Sequence, residues 1–511
     1  MTDWTGGYVA DIGYTYGYYT ELNPLRARLA LLNVKLALPK NGTACELGFG
    51  QGVSTNIHAA ASGTRWYGTD FNPSQAGFAQ QLAESFANGP QLFDQAFAEF
   101  CHRPDLPEFD YIGLHGIWSW ISDENRAVIV DFVRRKLKVG GILYISYNTS
   151  PGWAQMVPLR SLLSQYADTL APPGAGVVAR VDAALAFASK LWATNPVFAR
   201  SNPQVGERLK KMEGMDRHYL AHEYFNRDWV PMSFAEMADW LETAKIDFAC
   251  SATYLDHLSN VHMTNEQAAM LDELPDATFR QSARDLVVNQ QFRRDYWVKG
   301  PRKLNPLEYS EQLRAQRVVL TAPASTVTLE IKGALGTATL AEAVYKPLLE
   351  LMSDHRARSI GEIEQALRGH NIPLQNLHQA VMVLAEKAAL GQAQEDAEIE
   401  QARPQTAQLN RVLLDRARGS ADITYLASPV LGCGVALSRF QQLFILAIMA
   451  GKTSAQEWAA YVWQTLKSQQ QSIVKEGKVL QGDDANLLEL TQQAIEFRDQ
   501  SVPMLRALGV L

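Results

Sequence analysis

Glu46-Leu47-Gly48-Phe49-Gly50-Gln51-Gly52, with Asp70 closing the next apolar run, decides how this chain folds. Thr43–Leu47 reads as a short strand that stops on an acid and turns through three closely spaced glycines. Val53–Ala61 suits a helix behind that turn, and Arg65–Asp70 a second strand ending on a second acid. Nucleoside ligands are held this way. Glycine lets the backbone approach the ligand, and the second acid accepts hydrogen bonds from sugar hydroxyls.

The same alternation continues outward. Asn72-Pro73 supplies an N-cap and a first-turn proline for the next helix. Gln91–Phe93 reads as a third strand and Phe109–Leu114 as a fourth, ending at His115. Ser122 caps a helix that turns Val128, Ile129, Phe132, Val133 and Leu137 inward and is expected to end at Gly140-Gly141. Ile142–Tyr147 is apolar almost throughout, as a strand buried on both faces should be. Strands alternating with helices predict an α/β fold with a parallel sheet covered on both sides.

After Pro151 the pattern changes. Residues 157–241 read as helical, interrupted at Pro172-Pro173-Gly174-Ala175-Gly176, and Ile246–Thr253 and Phe292–Val298 read as strands again. Pro301–Gln316 reads as a polar linker and Gln392–Gln408 as an exposed connector. Ala341–Met352, Ile360–Leu367, Leu374–Lys387, Phe440–Gly451, Ala455–Lys467 and Asn486–Phe497 read as helices. The expected organisation is a cofactor-binding core in 1–155, a helical insertion in 156–241, strands completing the sheet in 242–300, and helical units in 317–391 and 409–511.

With 511 residues, 47% hydrophobic and 20% charged, the chain falls in the soluble globular class, large enough for two to four domains. A net charge of −7 argues against a partner that needs a broad basic surface, so no nucleic acid is expected. The helix Leu374–Lys387 has Lys387 as its only Lys or Arg, which suits packing better than reading DNA. Cys45, Cys101, Cys250 and Cys433 form no metal-type pair, which points to buried thiols in a reducing compartment and to no metal. Met1-Thr-Asp-Trp-Thr-Gly-Gly7 lacks the basic and apolar segments of a secretory leader, and the run Leu443–Ala450 is too short for a membrane span. A cytoplasmic location is expected.

A dinucleotide fingerprint places glycine at its first, third and sixth positions. Here the sixth is Val53, and Glu46 stands two residues before the first glycine. S-adenosylmethionine has no pyrophosphate for a helix N-terminus to meet. It needs room for a methionine moiety and an acid near its ammonium, which Glu46 supplies directly or through water. Asp70 suits the ribose of either cofactor. Methyl transfer from S-adenosylmethionine therefore leads, with a dinucleotide as the competitor. The adenine is expected after the third strand. Either Asp94 or the backbone of Ala96 and Phe97 would meet its exocyclic amine; Asp94 is equally at home as a solvated turn residue.

Phe109-Asp-Tyr-Ile-Gly-Leu-His115-Gly116-Ile-Trp118-Ser119-Trp120 and Ser146-Tyr147-Asn148-Thr149-Ser-Pro151-Gly152-Trp153 together resemble segments of class I methyltransferases that carry a methyltransferase regulatory domain. The opening Tyr14-Thr-Tyr16-Gly-Tyr18-Tyr19-Thr-Glu-Leu-Asn23-Pro24 and the central Tyr219-Leu-Ala-His222-Glu223-Tyr224 are similar to further segments of that family, so the likeness runs from Tyr8 to Gly300. The resemblance implies a Rossmann-like, seven-stranded class I core with a helical insertion and mainly helical C-terminal domains, one of them winged-helix-like. It implies S-adenosylmethionine as cofactor. Its best-understood members are bacterial protein-lysine methyltransferases acting on outer-membrane proteins, so the implied acceptor is a lysine nitrogen of a protein, an envelope or surface protein among the candidates. The alternatives are a small-molecule or saccharide methyltransferase and a non-catalytic S-adenosylmethionine-binding regulator. The helical parts can shape a protein-binding cleft or a homodimer interface.

In that architecture the ends of strands four and five face the transferable methyl. The candidate catalytic set is therefore His115, Trp118, Tyr147 and Asn148, with Trp120 nearby. The candidate cofactor set is Tyr16, Glu46, Gly48, Gly50, Gly52, Asp70, Asp94, Phe97 and His115. Tyr14, Tyr16 and Tyr18 are candidates for a lid. Each has a plainer alternative: Trp118 and Trp120 packing the next helix, His115 hydrogen-bonded at a strand end, Tyr147–Gly152 forming a tight loop, and His222-Glu223 a satisfied polar pair.

Overall fold

The computed structural model describes Tyr8 and residues 13–39, 42–171 and 174–511. The opening residues 1–7 and the pair Pro172-Pro173, on which two of the sequence expectations fall, lie outside the described residues. At the centre is a seven-stranded sheet made of β1 (Thr43–Leu47), β2 (Arg65–Asp70), β3 (Gln91–Asp94), β4 (Phe109–Leu114), β5 (Leu137–Asn148), β6 (Ile246–Ser251) and β7 (Phe292–Lys299). Their spatial order is β3-β2-β1-β4-β5-β7-β6. The first five run parallel, and β7 is antiparallel to both β5 and β6. The chain leaves β1 first toward β2 and later crosses to β4, so the carboxyl ends of β1 and β4 border a crevice.

Helices α1 (Pro24–Asn33), α2 (Val53–Ala61), α3 (Pro73–Ala83), α4 (Phe97–Phe100) and α5 (Asp123–Lys136) belong to the same unit. Their starts follow the sequence signals. Asn23, Asn72 and Ser122 each accept a backbone N–H of the first turn, and Pro24 and Pro73 open their helices. Strand side chains alternate between two cores. Ala44, Tyr111, Ile142, Tyr144 and Tyr296 pack with α1 and α2, whereas Cys45, Ile112, Leu143, Ile145, Tyr147 and Trp297 pack with α5 and the helix Phe234–Glu242.

Between β5 and β6 the helices Val157–Thr169, Val177–Ala193, Pro203–Glu213 and Arg217–Tyr224 enclose a separate cluster around Leu159, Leu185, Leu209 and Tyr224. Beyond β7, the strands Arg358–Ser359, Arg317–Leu320 and Leu390–Ala393 form a small antiparallel sheet beside the helices Glu342–Leu351, Ile360–Ala366 and Leu374–Glu386. The last of these packs on α1: Arg26 pairs with Glu386 at 2.6 Å, and the buried His378 ring lies 3.1 Å from the Leu29 carbonyl oxygen.

Four local expectations are corrected. Gly140-Gly141 do not end a helix. α5 stops at Lys136, and the glycines lie in a register shift of β5, where Leu137 pairs with Phe109 but Ile142 with Tyr111. Gly140 has φ +82°, which suits that excursion. Pro301–Gln316 is no linker, because Asn305, Pro306 and Glu308 form a capping box that starts the helix Pro306–Ala315. Residues 242–300 are not strands alone: between β6 and β7 lie the helices Ser259–His262, Asn265–Asp272 and Ala277–Val287. Gln392–Gln408 is no exposed connector. It holds more than half of the helix Asp396–Ala417, which buries Ile399, Ala402, Thr406, Leu409 and Leu413.

That long helix packs across α2, together with the hairpin Tyr425–Ser428/Cys433–Ala436. α2 is buried at all nine positions, Ser54, Thr55, Asn56 and His58 among them. Leu409 is fully buried in the shared core. Leu409→Ala is expected to cost about 2–5 kcal/mol and lower the thermal midpoint of the whole chain. The exposed Glu400→Ala on the same helix should change stability by less than about 0.5 kcal/mol. Equal effects in a denaturation series would refute the packing described.

Candidate active site

The loop after β1 is held from below by β2. The Gly48 N–H donates to the Thr69 carbonyl oxygen at 2.8 Å, and the Gly50 N–H donates to Asp70 Oδ2 at 2.8 Å. Asp70 Oδ1 accepts the Asn72 N–H at 3.0 Å, which also sets the entry to α3. One carboxylate thus braces both turns and keeps acceptor capacity for a ligand. Glycine is required by space as well as by conformation. At Gly48 (φ +75°) a Cβ would come within 2.4 Å of Ile117 Cδ1, and at Gly52 (φ +66°), the N-cap of α2, within 2.5 Å of Ala79 Cβ.

Glu46 and Asp70 line one pocket, with Gly48, Phe49 and Gly50 as its floor. Gln95, Ala96 and Phe97 border it after β3, and His115, Gly116, Ile117 and Trp120 after β4. Tyr8, Tyr14 and Tyr19 also line it. Burial pushes the Glu46 carboxyl up to about 8, only partly offset by the Thr55 hydroxyl that donates to Oε2. Asp70 is pushed up to about 6 by burial, the Asn72 and Gly50 N–H groups opposing.

His115 stacks on Tyr19 with ring centroids 3.8 Å apart, and its Nδ1 lies 2.7 Å from the Tyr144 hydroxyl oxygen. Burial holds its imidazolium form down, to about 4, so the ring is neutral at physiological pH. The loop that follows is fixed by the Gly116 N–H donating to Ser146 Oγ at 2.8 Å. Trp120 donates its indole N–H to the Glu223 carbonyl oxygen at 3.5 Å, linking the pocket to the inserted helices. Tyr8 and Tyr14 pack on His222 from the same side, with ring centroids 5.5 and 5.0 Å away.

The structure brings Glu46, Gly48, Gly50, Asp70, Phe97 and His115 together in this pocket. Gly52 stands just behind it, capping α2. Asp94 is exposed at the end of β3 and outside the lining, whereas Ala96 and Phe97 are in it. Trp118 is fully buried, its indole N–H on Met232 Sδ at 3.3 Å, in the core of the opposite sheet face. Tyr147 lies in that core too, donating to Asp295 Oδ2 at 3.0 Å. Asn148 is buried, its backbone N–H on Ser119 Oγ at 2.8 Å, and does not line the pocket. Tyr16 lies under Arg416 and against Phe78, outside the lining. Tyr18 points to the C-terminal hairpin. Trp120, expected close to the candidate catalytic set, does line the pocket; Tyr19 and Gln75 line it with less warning from sequence.

The family described as predicted methyltransferase regulatory domain matches residues 216–299. The uncharacterized protein sll1526 of Synechocystis sp. is 37% identical over 512 residues, covering 99% of both chains. The uncharacterized protein RP789 of Rickettsia prowazekii is 22% identical over 309 residues, 58% of this chain and 53% of that protein. The structure of PKMT2 from Rickettsia typhi in complex with AdoHcy superposes with a TM-score of 0.68 at 16% identity, covering 95% of this chain and 98% of that one. That likeness is one of fold.

Glu46 and Asp70 bind their protons more tightly in the folded chain than unfolded, where their values are 4.5 and 3.8. Their contribution to stability is whole below about pH 4. It is lost as pH rises through about 6 for Asp70 and about 8 for Glu46. Glu46→Gln should therefore gain stability relative to the wild-type ligand-free chain as pH rises from 5 to 8.5. Parallel thermal midpoints across that range would contradict the burial of this carboxyl.

Proposed function

We propose a function from a plain premise: this chain belongs to the family of the Synechocystis protein sll1526, with a class I methyltransferase fold and a methyltransferase regulatory domain. It is an S-adenosylmethionine-dependent methyltransferase acting on a lysine side-chain nitrogen of a protein. The observation that carries the cofactor is the pair of buried carboxylates, Glu46 and Asp70, in one pocket across a glycine loop. A buried carboxyl raised to about 8 fits a cationic partner, and the ammonium of the cofactor is one. Asp70, already oriented by two backbone N–H groups, suits the ribose hydroxyls, and Ala96 and Phe97 stand where the adenine would lie. The lysine acceptor is supported by the resemblance of the His115–Trp120 and Ser146–Trp153 segments to protein-lysine methyltransferases, and by the fold shared with PKMT2. Four cysteines without disulfide partners support a cytoplasmic setting, and among the described residues no helix is long and apolar enough to cross a membrane.

When bound, S-adenosylmethionine supplies an electrophilic methyl on a sulfonium centre. The residues do the rest. Tyr14, Tyr19 and Trp120 wall the pocket with rings whose faces attract a sulfonium or an alkylammonium and exclude water from it. A lysine amine with an ordinary pKa of about 10.4 must shed a proton before it can attack, a cost on the order of 4–5 kcal/mol at neutral pH. The apolar walls lower that cost by disfavouring the ammonium. His115, neutral and held by Tyr144 and Tyr19, can orient the amine as a hydrogen-bond partner.

Two measurements test this reading. Labelled methyl transferred from the cofactor into a cell lysate should appear in protein, on lysine after digestion; label in small molecules alone would move the acceptor to the alternative class, and no label would remove catalysis. His115→Ala should lower turnover at least tenfold more than it lowers cofactor affinity, and equal losses of both would make His115 structural.

A further inference from the structure

Gly13–Tyr19 forms neither helix nor strand, so no ladder of its own holds it beside the pocket. Its rings divide two ways. Tyr14 and Tyr19 line the pocket, while Tyr16 and Tyr18 meet the C-terminal part of the chain. The Tyr18 hydroxyl accepts the Gly434 N–H at 2.7 Å and lies 2.9 Å from the buried His58 Nε2. Its ring lies against Tyr425, centroids 4.4 Å apart. A Cβ on Gly434 would come within 2.8 Å of that ring, so the hairpin is cut to receive it. The Arg416 guanidinium sits 4.5 Å over the Tyr16 ring and is itself held by Asp422 at 2.6 Å.

We infer that Gly434 and Arg416, far along the chain from the glycine loop, are positioning residues of the cofactor pocket: they anchor the strap Gly13–Tyr19 so that Tyr14 and Tyr19 stand in the wall. This rests on the cofactor reading above and gives the C-terminal part a task within it. A strap ordered in advance spares the binding step the loss of its conformational freedom. Tyr19 also carries the ring that stacks on His115, so the anchoring reaches the reaction centre through one residue. The strap has further ties to the glycine loop, to α2 and to the inserted helices: the Tyr14 carbonyl oxygen accepts from Gln51 at 3.4 Å, the Tyr19 N–H donates to Ser54 Oγ at 2.8 Å, and the Gly13 carbonyl oxygen lies 3.2 Å from His218 Nδ1. None of these three holds the Tyr16 or Tyr18 ring.

The test uses the full chain with Gly434→Ala, whose methyl meets the Tyr18 ring, and Tyr18→Phe, which deletes only the hydroxyl. AdoHcy affinity is read by calorimetry, and hydrogen exchange is read on the ligand-free proteins. Each variant should bind AdoHcy about tenfold more weakly, about 1.4 kcal/mol. Amides of Gly13–Leu22 should exchange faster while those of β1 and β2 keep their protection. Unchanged affinity and unchanged strap exchange overturn the inference. Loss of β1 protection together with affinity also overturns it, since the hairpin would then support the fold at large. A wild-type chain that binds no AdoHcy overturns the cofactor reading and takes this inference with it; unchanged variants of a chain that does bind it overturn this inference alone.

Discussion

Two carboxyl groups withdrawn from water at the ends of neighbouring parallel strands set the terms for this molecule. Burial disfavours the charge of each, and Glu46 has the Thr55 hydroxyl as a donor against that cost. Asp70 is better served, with two backbone N–H groups, but those bonds bind it to the geometry of the glycine loop and the start of α3. The loop cannot relax without orphaning Asp70, and Asp70 cannot turn without releasing the loop. A ligand with a cation at one end and vicinal hydroxyls at the other relieves both constraints at once. The ligand-free protein is thereby poised for such a molecule, because the site is least stable when its carboxylates are charged and alone.

The same economy of space explains the polar residues of α2. Ser54, Thr55, Asn56 and His58 are all buried. Ser54 and Thr55 serve the pocket side, through the Tyr19 N–H and Glu46. Asn56 ties the loop to α3 by donating to the Gly52 and Ala79 carbonyl oxygens. His58 meets Tyr18 on the far side, and burial holds it neutral. The small residues Ala59, Ala60 and Ala61 let the helix Asp396–Ala417 and its hairpin approach closely. One short helix thus joins cofactor pocket, strap and C-terminal core.

Much of this was legible. The strand–glycine–helix alternation and the capping residues placed β1, α2, β2, α3 and β4 because these elements obey local rules: acid before turn, proline at a helix start, apolar runs at strand length. The stretch Gln392–Gln408 was not legible because its buried stripe is built largely from small or polar residues, Ala402, Gln405 and Thr406, which pack against a partner far off in sequence. The pair Tyr16 and Tyr18 was misleading for a similar reason. Gly17 leaves room for the Tyr19 ring: a Cβ there would come within 2.5 Å of the Tyr19 hydroxyl oxygen. Tyr16 and Tyr18 are drawn off the pocket by contacts in the C-terminal half, with Arg416 and with the Gly434 N–H.

Strand parity sorts the remaining candidates at the reaction centre. On β4 and β5, Tyr111, Ile142 and Tyr144 belong to one sheet face and Ile112, Leu143, Ile145 and Tyr147 to the other. His115, next after Leu114 of the second face, falls on the first and meets Tyr144, which places it over the crevice. Tyr147, three residues on from Tyr144, is committed by the same alternation to the second face, where Asp295 and Arg293 hold its surroundings. Trp118 fills that face as well, and Trp120, past one short turn, returns to the pocket. Aromatic residues that look equivalent in sequence are thus divided between supporting the sheet and walling the site. His115, Tyr19 and Trp120 wall the pocket, with Tyr147 and Trp118 packed in the core behind the strand ends.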